Sequence, residues 1–255
     1  MDIMTRSKPA ILGLAFDDIT LEDVVAQLLG RDPQAPFGYV VTPNADHFTR
    51  LLRVPDFLPL YRGAMLCLFD SQFLRHVCGW LGLAQPYVVT GSSLTTALLD
   101  RLNGQRVTVI GLEDPHFRSL QRRYPGINFS HHCPPMGLLE NFVAFDQACD
   151  FVCEAKAPFN FIALGSPLQE LMAHAIGAKA GAVGVGLCIG AALQFAAGAA
   201  KRAPVWMQRA GLEWLHRLAT DPVRLAPRYL RDNPMVLAAL AGEAIRQTRR
   251  RSRPG

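Results

Sequence analysis

The chain has 255 residues, 50% hydrophobic and 18% charged, enough apolar surface for one large domain or two small ones, which excludes global disorder. Glycine (21) and proline (18) stand near ordinary levels, so collagen-like and low-complexity architectures are excluded as well. The net charge of +5 is uneven: residues 1–200 carry 14 Lys and Arg against 17 Asp and Glu (net −3), and residues 201–255 carry 12 against 4 (net +8), so a polyanion or anionic membrane is expected at the tail.

In chain order, Ile11–Phe16 is predicted as a short strand, followed by a helix from Asp18-Ile19-Thr20 with Leu21, Val24, Val25 and Leu28 on one face. Phe37–Thr42 reads as a strand stopped by Pro43-Asn44, Asp46–Leu52 as a helix, and Ala64–Phe69 as a buried strand ending at Asp70. Helices are predicted over Ser71–Leu83 and from Ser92-Ser93 to Leu102. A strand at Gln105–Ile110 turns at Gly111 into a helix reaching Tyr124, and Leu138–Ala155 reads as a long helix. Phe159–Leu164 is a strand broken by Gly165-Ser166-Pro167, with a helix to about Ile176. Ala180–Ala200 is long enough for a membrane span but consists mostly of Gly and Ala, so a buried strand (Ala182–Val185) and helix (Ala191–Ala199) are expected instead. Beyond residue 200 no strand is evident. Pro204–Leu218 is amphipathic, Asp221-Pro222 starts a helix carrying Arg224, Arg228 and Arg231 on one face, Asn233-Pro234 is expected to break it, and a final helix ends in Arg249-Arg250-Arg251-Ser252-Arg253.

This alternation predicts an α/β fold: a Rossmann-like, mostly parallel sheet with helices on both faces, plus a C-terminal helical appendage. In such sheets ligands bind beyond the carboxyl ends of the strands. The polar residues there are Thr42 and Asn44, Asp70, Gly111, and Gly165-Ser166-Pro167 with Gln169 and Glu170. Asp70 has two readings, a general base facing a pocket or an N-cap for the next helix. Thr42 and Asn44 either bind a substrate hydroxyl or amide, or form a turn and cap. Gly165-Ser166-Pro167 opens a helix whose free N–H groups suit a phosphate, or is a plain turn.

Cys67, Cys78, Cys133, Cys149, Cys153 and Cys188 form no CxxC pair, and His131-His132-Cys133 is too compact for a zinc site, so no metal is expected. Met1 to Ala10 lacks an apolar leader, which makes reduced thiols and a cytoplasmic location the expectation. Gly184, Gly186 and Gly190 miss the GxGxxG spacing by one residue, and Walker A, GxSxG, HExxH and DxD motifs are absent. His47, His76, His174 and His216 sit in helical segments and read as surface or core histidines.

Taken in order, Thr-Pro-Asn-Ala-Asp (42–46), Phe-Asp (69–70), Val-Val-Thr-Gly-Ser-Ser-Leu (88–94), Leu-Gly-Ser-Pro-Leu-Gln-Glu (164–170), the block Lys201–Leu218 containing Arg-Ala-Pro and Gly-Leu-Glu-Trp, and Asp-Pro-Val-Arg-Leu-Ala-Pro-Arg-Tyr-Leu (221–230) resemble the WecG/TagA/CpsF glycosyltransferases, from about residue 10 to 231. The resemblance implies an inverting, metal-independent transfer from a UDP-sugar to a polyprenyl-diphosphate-linked saccharide in cell-surface or exopolysaccharide biosynthesis. It also implies a Rossmann-like catalytic domain (1–200) and a basic appendage (201–255) that meets the inner face of the membrane. Carried over by position, Asp70 matches the base, Thr42 and Asn44 orient the sugar, and Ser166, Gln169 and Glu170, with Gly111 and Gly165, lie near the UDP. Arg202, Arg217, Arg224 and Arg228 would neutralise diphosphate. The chain departs from the family in Ser71, where Gly usually follows the aspartate, and in Gln194, where Asp often precedes the Phe-x-x-Gly turn. A nucleotide- or dinucleotide-binding oxidoreductase is the alternative, suggested by the βαβ pattern and Gly184/Gly186. Nucleic-acid binding through the arginine tail ranks below both, because aromatic interleaving stops at Trp206, Trp214 and Tyr229. Both monomer and homo-oligomer remain compatible with the sequence.

Overall fold

The computed structural model describes residues 8–251, apart from the side chains of Arg224, Pro227, Arg228 and Arg251. The expected first strand is two short ones, β1 (Ala10–Ile11) and β2 (Leu14–Ala15), because Leu12 and Gly13 take positive φ angles of 51° and 79° and reverse the chain. Thr20 caps α1 (Leu21–Leu29) by accepting from the Asp23 N–H. There follow β3 (Gly38–Val41), α2 (Ala45–Arg53), α3 (Leu58–Arg62), β4 (Leu66–Cys67), α4 (Gln72–Trp80) and α5 (Gly91–Leu99). Next come β5 (Arg106–Gly111), α6 (Asp114–Arg123), β6 (Asn128–His132), α7 (Phe142–Ala155), β7 (Phe159–Ala163), α8 (Leu168–Ala178), β8 (Val185–Cys188) and α9 (Ala192–Ala196). Strand β6 was not expected: Asn128, Ser130, His131 and His132 give no apolar run, and at the sheet edge none is needed. Helix α7 begins four residues later than the pattern suggests, where the Asn141 side chain caps it by accepting from the Ala144 N–H.

Six strands form one parallel sheet in the order β4-β3-β8-β7-β5-β6. The alternation of side chains along each strand divides the core in two. Val41, Ile110, Ile162 and Cys188 face one layer with Phe48, Tyr61, Met172 and Ala148, while Val40, Val109, Phe161 and Leu187 face the other with Val25, Leu94, Leu98 and Leu120. The Gly/Ala-rich stretch supplies the central strand β8 and the helix α9. Among the described residues no helix is long and apolar enough to cross a membrane.

Beyond residue 200 stand α10 (Val205–Arg209), α11 (Glu213–Thr220) and α12 (Pro222–Arg251). Gly211, at φ 75°, divides the amphipathic run into α10 and α11. Pro234 does not break the chain, contrary to expectation: α12 is continuous over 30 residues. A proline inside a helix costs about 3 kcal/mol. Val236 and Leu240, almost wholly buried in the core below α2, return about 1.5–3 kcal/mol each. An Arg53–Asp232 ion pair and the Leu12 N–H, 2.7 Å from Glu243 Oε2, also hold the helix down.

Candidate active site

Two cavities open at the carboxyl ends of the strands. The smaller, about 270 Å³, is bounded by Asp70, Asn44, Ser93, Trp214 and Arg217, among others. The larger, about 830 Å³, lies over the loops after β7 and β8 and takes in Arg50, Ser166, Gln169, Gly190 and Lys201. Asp46, Arg217 and Tyr229 belong to both, so the cavities share a wall.

Asp70 follows β4, and the cap of the next helix, one of its two sequence readings, falls to its neighbour. Ser71 is the N-cap of α4, its hydroxyl accepting from the Leu74 N–H at 3.1 Å. Asp70 is thereby released from capping. Its Oδ2 accepts instead from the Gly91 N–H (2.9 Å), the first residue of α5, and its own N–H donates to the Pro43 carbonyl. Burial raises the Asp70 pKa to about 6, against the opposing pull of the Gly91 hydrogen bond and the Arg217 charge, while Glu213 adds to the rise. A carboxylate so placed is ionised at neutral pH yet basic enough to take a proton. The departure from the family at Ser71 thus leaves the aspartate free, and α5 supplies its anchor.

Thr42 is buried beneath the start of α5. A Cβ on Gly91 would stand 3.1 Å from its hydroxyl, which itself points toward the Cys188 carbonyl at 3.5 Å. Thr42 lines neither cavity, whereas Asn44 lines the smaller one while also capping α2 through the Asp46 N–H.

Glu170 and Gln169 are buried under the larger cavity. Glu170 Oε1 is 3.4 Å from His47 Nε2 and accepts from Gln169 Nε2 at 2.8 Å. On the other side of the ring, Nδ1 stands 3.2 Å from the Asn44 N–H and 2.9 Å from its Oδ1. Burial would push the Glu170 carboxyl up, but contact with His47, the hydrogen bond from Gln169 and the nearby Ser166 hydroxyl outweigh it, and its pKa is lowered from the ordinary value. Gln169 Oε1 accepts from the Gly190 N–H at 2.8 Å, tying the β7 loop to the β8 loop. Arg50 donates to Ser166 Oγ at 2.8 Å. The sequence had pointed to Ser166, Gln169 and Glu170 in this place; it had read His47 as an ordinary core histidine, and Arg50 carried no signal.

The appendage closes the smaller cavity. Arg202 donates to Ser93 Oγ (3.2 Å) and Thr90 Oγ1 (3.0 Å), the cap of α5, and its Nε faces Glu213 at 3.7 Å. Through these contacts Arg202 staples the appendage to the helix that anchors Asp70, while still lining the smaller cavity. Arg217 pairs with the same Glu213 at 3.4 Å and lies 5.6 Å over the Phe195 ring. The side chains of Arg224 and Arg228, and all of Ser252 and Arg253, lie outside the described residues. Glu213 carried no signal in the sequence because it joins two arginines, Arg202 and Arg217, and Trp214 because its ring packs on Phe73, far away in sequence.

Gly111 takes φ 81° and a Cβ there would meet the Ala163 carbonyl at 2.8 Å, so it serves the β5–β7 approach and lines neither cavity. Gly165 lines the larger cavity. Gly184 and Gly186 sit at the amino end of β8, where a Cβ would strike the Ala157 carbonyl (2.4 Å) and the Phe37 ring (2.6 Å). They permit packing at the end of the sheet opposite to a dinucleotide-binding loop, which removes the observation behind the oxidoreductase reading. All six cysteines are free, and the described residues hold no group of three or more His, Cys, Asp or Glu that could bind a metal.

A parallel, doubly covered sheet with its crevice at the strand ends defines a Rossmann-like α/β protein. Residues 9–250 match the glycosyl transferase WecG/TagA/CpsF family, and the chain belongs to that family of glycosyltransferases. It is similar to the N-acetylglucosaminyldiphosphoundecaprenol N-acetyl-beta-D-mannosaminyltransferases of Staphylococcus aureus strains NCTC 8325 and MRSA252, each 25% identical over 238 residues, covering 88% of this chain and 91% of theirs.

Proposed function

We propose that this glycosyltransferase moves a sugar from a UDP-sugar to a polyprenyl-diphosphate-linked saccharide with inversion and without a metal, Asp70 acting as general base. The observation that carries the reading is Asp70 itself: a carboxylate freed from capping, held by one backbone N–H, raised to about 6, and facing a cavity that shares a wall with a second, more cationic one. The relatives' names describe transfer to an N-acetylglucosaminyl diphosphoundecaprenol, which supports a lipid-diphosphate acceptor here. The nucleotide diphosphate is assigned to the larger cavity, where Arg50 and Lys201 have no carboxylate partner among the described residues. The acceptor sugar enters the smaller one. Asp70 removes the proton of its attacking hydroxyl, the oxygen bonds to the anomeric carbon, and UDP leaves with the electrons of the broken C–O bond. The carboxylate that acts as base lies within residues 1–200, residues within 201–233 wall both cavities, and the basic residues of the tail hold the protein on the inner face of an anionic membrane.

The test is UDP release from a panel of UDP-sugars with a short-prenyl diphosphate saccharide as acceptor. Asp70→Asn is expected to lose about 10²-fold or more in kcat, the scale of general-base catalysis. Equal turnover by the variant would overturn the assignment of the base. Replacing Arg246, Arg249 and Arg250 with Gln should weaken the hold on anionic vesicles, and unchanged binding would overturn the membrane reading.

A further inference from the structure

Among the described residues lining the smaller cavity, three buried side-chain nitrogens make no hydrogen bond: Arg202 Nε and Arg217 Nε, whose guanidinium groups pair with Glu213, and Trp214 Nε1, which has no such carboxylate. Trp214 Nε1 is buried and makes no hydrogen bond among the described residues. A buried indole N–H ordinarily finds an acceptor, and leaving one unmet costs about 1–3 kcal/mol. The position of the ring is fixed by packing. A Cβ on Gly211 would stand 3.0 Å from the Phe73 backbone nitrogen, so only glycine lets the start of α11 approach α4 this closely. Trp214 then lies 6.1 Å from the Phe73 ring, at 57°, and 6.0 Å from the Tyr229 ring, at 84°. Three aromatic rings and the unmet indole donor therefore stand in the wall that also carries Asp70.

We propose that Phe73, Trp214 and Tyr229 form the subsite for the acceptor's sugar ring, with the indole N–H donating to a ring substituent oxygen and the aromatic cluster covering the apolar C–H face. A pyranose has this chemistry, oxygens around its rim and C–H bonds on its faces, whereas a diphosphate offers nothing to the rings. The subsite rests on the reading above that the acceptor lies beside Asp70. It makes Trp214 a binding residue that selects for a sugar on the lipid diphosphate.

The experiment compares two probes by titration calorimetry: a short-prenyl diphosphate carrying N-acetylglucosamine, and the same prenyl diphosphate without the sugar. Trp214→Phe keeps the ring and removes the donor. It should weaken the sugar-bearing probe about tenfold, the scale of one hydrogen bond, and leave the bare probe and UDP unchanged. Equal weakening of both probes, or of neither, overturns the subsite. Should that variant fail to fold, the wild-type indole reports directly. The chain has three tryptophans, and Trp80 (81% exposed) and Trp206 (64%) can be replaced by Phe with little cost. The emission of the remaining Trp214 should respond to the sugar-bearing probe alone, and no such response overturns the proposal. Wild-type turnover beside an unselective Trp214→Phe overturns the subsite only, whereas a folded wild type that turns over no UDP-sugar with the sugar-bearing probe overturns the functional reading with it.

Discussion

Asp70 and Glu170 are both carboxylates beyond strand ends, yet their environments drive them in opposite directions. Glu170 is wholly buried and still has a lowered pKa, because His47, Gln169 and Ser166 surround it. Asp70 accepts one backbone hydrogen bond and is raised to about 6. Burial alone therefore does not set the proton affinity of a carboxylate; the partners that burial brings decide it. The well-partnered residue joins α2 to the start of α8, and the poorly partnered one is available for chemistry.

The comparison can be broken most sharply through activity. Asp70→Asn should cost about 10²-fold or more in kcat, while Glu170→Gln, which keeps the shape, should mainly alter stability. Removal of the imidazole that faces Glu170 comes next. His47→Ala leaves Glu170 without its main partner and should destabilise the fold by about 3–5 kcal/mol, measured by urea unfolding. The pH dependence should also reverse. In the wild type, the lowered pKa of Glu170 contributes stability above the unfolded-state value and loses it as pH falls; in His47→Ala, acid should relieve the unpaired charge.

A smaller effect has the opposite sign. The shift of Asp70 from 3.8 to about 6 corresponds to about 3 kcal/mol of strain on the ionised form. That strain is fully present above about pH 6 and vanishes below the unfolded value, so Asp70→Asn should be more stable than wild type at pH 8 and equal to it near pH 3. Loss of activity with gain of stability is the signature of a functional carboxylate. The smallest effect lies in the pH–rate profile. The acid limb should fall near pH 6, moving up in Arg217→Gln and down in Glu213→Gln, because the first removes a charge that favours ionised Asp70 and the second removes one that opposes it.

Much of the fold was legible because parallel strands buried on both faces read as short apolar runs between helices. The exceptions share one cause. Strand β6 is polar at the sheet edge, the hairpin turns on two residues of positive φ, and α12 continues through Pro234 because the core beneath it outweighs a local preference. The site divides in the same way. Asp70, Ser166, Gln169 and Glu170 stood at strand ends in the sequence, whereas His47 and Trp214 gained meaning only from partners distant along the chain.

The sequence by itself determined the class of fold, the family, the carboxylate after β4 and the split between an acidic body and a basic tail, since each depends on residue type and local spacing. Tertiary structure alone decided which carboxylate is free. Ser71 takes the cap, α5 arrives to hold Asp70, His47 closes on Glu170, and Arg202 ties the basic tail to α5. These outcomes depend on which groups meet after the chain has folded, and proton affinity follows those contacts rather than residue type.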